Sequence, residues 1–131
     1  MDNNFQAIKI IAFDEKATYQ SDPNSELRHV VLILSAVVPP AWSKYFNACW
    51  TSHLYMKKRK ASASGDRLTI YCVPDELQNF HIPELNKVIA ETNRAYEQYL
   101  VDAKRVADAQ AQRDAAEKAN LAALKSSLKF D

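Results

Sequence analysis

The chain holds a single glycine, Gly65, in 131 residues. A phosphate-cradling loop or a dinucleotide-binding turn needs several positions without a Cβ, so neither chemistry is expected. Cysteine is scarce too. Cys49 and Cys72 make no disulfide framework, and free thiols point to a cytoplasmic protein. No surplus of charge exists either: 17 Lys and Arg stand against 16 Asp and Glu, for a net charge of +1. Splitting the chain before Pro83 leaves nine basic and eight acidic residues ahead of it and eight of each behind. A protein held on nucleic acid by phosphate neutralisation needs a larger excess, about one Lys or Arg per phosphate. Long apolar runs are missing as well. The longest, Val30–Val38, is too short to cross a bilayer. The opening MDNNFQAIKIIAF has neither the charged start nor the continuous apolar stretch of a signal peptide. No membrane association is expected.

What is present is a readable order of elements in a chain the size of one domain. Asn4–Phe13 alternates as a strand, with Ile8, Ile10 and Ala12 on one face and Phe5, Ala7, Ile11 and Phe13 on the other. Asp14–Glu26, rich in Asp, Asn and Ser, reads as a loop long enough to move. Arg28–Val38 is β-branched and apolar on both faces, as a central strand would be. Pro39 and Pro40 stop it, and Pro40 suits a first helical turn, where its missing N–H is no loss. The spacing then predicts an amphipathic helix over Ala41–Lys58. Trp42, Phe46, Cys49, Trp50, His53 and Met56 fall on its apolar stripe.

Gly65-Asp66 between two extended runs, Arg59–Ser64 and Arg67–Val73, is a hairpin signal, with Gly65 supplying the positive φ. The first hairpin strand is weakly apolar and lysine-flanked, which marks a sheet edge. Pro74-Asp75-Glu76 has the chemistry of a short helical turn, Asn79–Ile82 reads as a break, and Pro83 restarts a helix. No glycine or proline follows Pro83. Leu85, Val88, Ile89, Thr92, Ala95, Tyr96, Tyr99, Leu100, Ala103 and Val106 make one face to cover the sheet. The same spacing then passes through Gln110, Arg113 and Glu117 before Leu121, Leu124 and Leu128.

The fold class expected is therefore α+β: a four-stranded antiparallel sheet in ββαββα order, an amphipathic helix on one face, and a long C-terminal helix extending beyond the domain. A helix from Pro83 to Lys125 would be roughly 65 Å long at 1.5 Å per residue, about twice the width of a small domain. The expected division is a compact domain over 1–107 and a helical extension over 108–131. Nine of the 21 residues from Ala103 to Ala123 are alanine, which keeps such a segment helical with little burial.

Three candidate surfaces or sites follow. In the first, Leu121, Leu124, Leu128 and Phe130 dock a protein partner or a second copy of the chain. The alternatives are a helix that breaks near Asp108 or Asn120 and folds back, or an end that frays. In the second, Lys57, Lys58, Arg59, Lys60 and Arg67 contact nucleic acid or an acidic partner, with Tyr55 or Tyr71 as a stacking surface and Lys60 near Arg67 across the hairpin. A solvated edge explains the same residues. In the third, Cys49, His53, Cys72 and His81 supply zinc-type ligands, but their spacing matches no zinc module and three of them sit on apolar faces. No metal or cofactor is expected. For catalysis, His29, His53 and His81 are bases in type only, neither thiol has a cationic neighbour, and Asp75-Glu76 already has a helix-starting role. No catalytic residue is expected. The sequence thus reads as a small non-enzymatic interaction protein of the inhibitor or adaptor type, as phages and mobile elements carry. The rival is a nucleic-acid-binding accessory factor using the hairpin.

Overall fold

Burial of one aromatic stripe organises the chain. In the computed structural model, which describes residues 5–130, helix α1 (Pro40–Ser52) presents Trp42, Phe46 and Trp50 inward, with Trp42 and Phe46 fully buried. Their rings stack along the helix, Trp42 to Phe46 at 5.6 Å and Phe46 to Trp50 at 6.2 Å. Residues four apart lie one above another on a helix, so the stripe is a ladder of rings. Each such side chain contributes about 1.5–3 kcal/mol by leaving water.

The sheet has the order β1-β2-β4-β3 and is antiparallel throughout. Its strands are β1 (Ile10–Phe13), β2 (Arg28–Leu34), β3 (Ala61–Ser64) and β4 (Arg67–Cys72). Val30, Leu32 and Leu34 of β2 and Leu68, Ile70 and Cys72 of β4 are buried. Helix α2 (Ile82–Ser127) adds Leu85, Val88 and Ile89 to the core. The expected α+β class with a four-stranded antiparallel sheet, a short amphipathic helix and a long C-terminal helix is thus the observed one. β2 is central and β3 is an edge. The edge is covered: Ala63 N–H donates to Asn47 Oδ1 of α1 at 3.0 Å, so a strand N–H facing away from β4 is not left open. Gly65 turns the hairpin with φ +60°.

Several boundaries differ from those expected; the hairpin strands, for example, are Ala61–Ser64 and Arg67–Cys72 rather than Arg59–Ser64 and Arg67–Val73. Phe5–Lys9 is not strand, and Asn4 lies outside the described residues. The Ile8 N–H donates to Asn93 Oδ1 at 3.0 Å and the Ile8 carbonyl accepts from Asn93 Nδ2 at 2.9 Å, so a side chain takes what a ladder would have used. The alternation also slips at a bulge between Ile10 and Ala12, leaving Ile11 exposed. β2 stops at Leu34 rather than Val38, although Val38 is buried and its N–H donates to the Gly65 carbonyl at 2.8 Å.

Helix α1 stops at Ser52 rather than Lys58 because the Lys58 amine turns back to the Trp50 and Thr51 carbonyls, the latter at 3.1 Å. Where the helix ends, the Trp50 carbonyl keeps only the His53 N–H at 3.2 Å from the backbone, and a lysine can fill the remaining places at such carbonyls. Met56, expected on the stripe, is therefore 85% exposed. Finally, no break separates Pro74-Asp75-Glu76 from α2. A 3₁₀ turn (Pro74–Glu76) passes into a π-turn (Leu77–His81) and directly into α2. Pro83 has no N–H for the carbonyl four residues back and its ring crowds it; the wider turn, with Ile82 N–H donating to Leu77, absorbs both.

The chain divides into two units, Asn4–Glu97 and a second holding Gln98–Asp131. In the first, Asn93 is the main polar tie in the core. Its Oδ1 accepts from Ile8 N–H and from Trp42 Nε1–H at 2.9 Å, while its Nδ2 donates to the Ile8 carbonyl. Replacing Asn93 by Leu strands three buried polar groups, and urea unfolding should show a loss of about 2–5 kcal/mol. A loss below 1 kcal/mol would mean that water reaches these groups.

Candidate functional site

The basic run is engaged within its own unit. Arg59 meets Glu76 with both Nε and Nη2 at 3.2 Å. Lys58 closes the end of α1 and lies over the Trp50 ring, 5.6 Å from its centroid. Lys57 takes a left-handed conformation, φ +62°, and sets its amine over Phe80 at 4.4 Å. Arg67 pairs with Asp66 at 2.7 Å and Asp14 at 3.4 Å. Lys60 is exposed. The register places Ser64 opposite Arg67, and Tyr71 N–H donates to the Lys60 carbonyl, so Lys60 and Arg67 stand at opposite ends of the hairpin. That corrects the expectation that they adjoin. An open hollow of about 520 Å³ lies beside Trp50, Lys58, Arg59 and Lys60.

The two expected stacking rings are also occupied. Tyr71 lies 4.4 Å from His29, which stacks on Tyr19 at 4.4 Å, on the sheet face beneath the Asp14–Glu26 loop. Tyr55 packs edge-on against Trp50 at 5.5 Å.

Sequence reasoning missed a polar relay centred on His81. The π-turn carries this imidazole into the core, where it is fully buried. An ionised Glu76 only accepts, so His81 Nε2–H donates to Glu76 Oε1 at 3.2 Å; Nδ1 then accepts from the Tyr55 hydroxyl at 2.7 Å. The Arg59 guanidinium, opposed by burial and helped by His81, holds Glu76 down at about 2. Burial pushes the Tyr55 phenol up to about 12. The relay therefore keeps its proton on Tyr55 and its charge on Glu76, and fastens the loop after α1 to the start of α2. One signal was available: Arg59 and Glu76 flank the hairpin with opposite charge.

Two further polar pairs join α1 and the residue after it to α2. His53 Nε2–H donates to Glu84 at 3.0 Å, and Lys87 and His53 together lower the Glu84 carboxyl. The Cys49 thiol donates to Glu91 at 3.1 Å. Burial, with Glu91 adding to it, raises Cys49 to about 11, and burial raises Cys72 to the same value. At neutral pH both are thiols, not thiolates. Cys49, His53, Cys72 and His81 do not come together, and among the described residues no three His, Cys, Asp or Glu side chains form a metal-holding group. Nor, among them, is any helix long and apolar enough to cross a membrane.

The leucine site lies in the second unit. α2 passes Asp108 and Asn120 without a break, so the fold-back expected as an alternative does not occur there. None of the described residues from Gln98 onward is buried. Leu121, Leu124 and Leu128 are 59%, 51% and 48% exposed, and Phe130 is 91% exposed. Val106, expected on the covering face, is 63% exposed.

The Glu76 arrangement has an acid signature. A carboxyl whose folded value lies below its ordinary 4.5 contributes stability above that pH and loses it as pH falls toward about 2. The Glu76→Gln variant should be less stable than the parent at pH 7, with the gap closing over that window, as followed by urea unfolding at several pH values. A gap that stays constant down to pH 2 would show that the charge of Glu76 is not what Arg59 and His81 hold.

These assignments rest on geometry and chemistry, since no family model, no curated protein and no solved structure matches the chain.

Proposed function

We propose that this protein acts by association rather than catalysis, through α2 from Gln98 onward, and that the occupant of this surface is a second copy of the chain. The observation that carries this reading is the exposure of Leu121 and Leu124 on an unbroken helix, followed just past its last turn by Leu128 and Phe130, each about half exposed or more. Apolar side chains gathered on one helical segment are ordinarily covered in the working state. Alanine at nine of 21 positions from Ala103 to Ala123 permits close approach of another helix. A net charge of only +1 leaves little long-range repulsion to oppose two copies. An inhibitor or adaptor role fits a protein whose working part is a binding surface. The free thiols Cys49 and Cys72 fit a reducing compartment such as the cytoplasm.

Light scattering on the purified chain should give about 30 kDa, twice the 14.9 kDa of one copy. The triple replacement of Leu121, Leu124 and Leu128 by Lys should return it to the mass of a single copy. Removing residues 108–131 should do the same while the near-ultraviolet signal of Trp42 and Trp50 is preserved. A parent chain of single-copy mass overturns self-association.

A further inference from the structure

From the same surface we infer that two copies pair antiparallel along α2, with the two-fold axis passing between Arg113 and Asp114; this rests on the self-association just proposed. The face that runs from Tyr99 through Ala103, Val106, Gln110, Arg113, Glu117, Leu121 and Leu124 to Leu128 advances by steps of three and four, so it stays on one side of the helix. Its pattern is apolar, then polar, then apolar. A parallel pair would also match like with like, but it would set Arg113 against Arg113 and Glu117 against Glu117. An antiparallel pair turns the same pattern end for end. In a two-fold interface residue i meets j and j meets i, so each contact occurs twice.

With the axis between Arg113 and Asp114, Val106 faces Leu121 of the second copy, Ala103 faces Leu124, and Tyr99 faces Leu128. Those are three apolar layers at each end. In the middle, Arg113 faces Asp114 and Gln110 faces Glu117, while Asp102 faces Lys125 further out. Opposite charges therefore meet at four places, each of the two pairs occurring twice, and no like charges meet on this seam. The charged side chains Arg113, Asp114 and Asp102 are held only by neighbours on their own helix. Arg113 now donates to Gln110, Asp114 accepts from Gln110, and Asp102 accepts from Gln98 and Arg105. All are exposed pairs within one helix, and such pairs exchange partners at little cost. Val106, Leu121 and Leu124 are each more than half exposed, and Tyr99 and Leu128 are nearly so. The seam from Tyr99 to Leu128 would be about 44 Å long at 1.5 Å per residue. The pattern favours this register, because a shift of four residues sets Leu121 against Gln110 and Val106 against Lys125 in one direction, and Leu121 against Asp102 and Val106 against Glu117 in the other.

Disulfide trapping tests the direction. In a Cys49→Ser background, with Cys72 left buried, Val106→Cys and Leu121→Cys are introduced on separate chains. Within one helix these positions are about 22 Å apart, too far to bridge, so any bond between them joins two copies. Under mild oxidation, neither variant alone should form a covalent dimer, and an equal mixture should, with the dimer band rising at least tenfold over either alone. Leu128→Cys alone should not cross-link. A dimer by light scattering in which Leu128→Cys cross-links with itself and the mixture does not would overturn the antiparallel arrangement and leave self-association standing. A dimer in which neither pairing cross-links also overturns the arrangement. A chain of single-copy mass overturns both.

Discussion

A carboxamide in an apolar core must find partners for every polar atom, and Asn93 finds them on three segments at once. Its contacts hold the backbone at Ile8, the indole of Trp42 on α1 and α2 itself in one mutual orientation. Hydrophobic contact between helices tolerates small rotations, whereas a hydrogen bond between buried groups does not. The phase at which α2 enters the core of the first unit is therefore set by Asn93, and Leu85, Val88 and Ile89 follow from it. The same tie removes Phe5–Lys9 from the sheet, which is why β1 is short and begins only at Ile10.

The four-charge run at Lys57–Lys60 shows how little a charge run says by itself. Three of its four cations meet a nearer demand: helix-end carbonyls for Lys58, a carboxylate for Arg59, an aromatic face for Lys57. What collects them is the early end of α1, after which the chain turns through a left-handed Lys57 and brings Arg59 within reach of Glu76. Tyr55 and His81 complete the closure. The loop after α1, the hairpin and the start of α2 thus become one polar seam at the edge of the aromatic core.

α2 is held in two different ways along its length. As far as Tyr96 it is stabilised by burial of one face. From Gln98 it keeps its helix through alanine and through pairs of neighbours such as Lys104 with Asp108 and Gln110 with Asp114. Each such pair is worth only a few tenths of a kcal/mol, about 0.2–0.5, so this part is helical by local preference, with Val106, Leu121, Leu124 and Leu128 about half exposed or more.

The periodicity of the sequence determined most of the fold. Alternation marks β2 and β4, the three-and-four spacing marks α1 and α2, and Gly65 marks the hairpin, because each is a local consequence of residue order. The exposed leucines at 121, 124 and 128 were legible for the same reason. What only the tertiary structure decided were the partnerships between distant residues: Asn93 with Ile8, Lys58 with the end of α1, Arg59 with Glu76, and His81 with Tyr55. Those partnerships moved the start of β1 and the end of α1, and placed the buried imidazole of His81. A polar group states in the sequence that it needs a partner, but which partner it meets depends on how the whole chain closes around it.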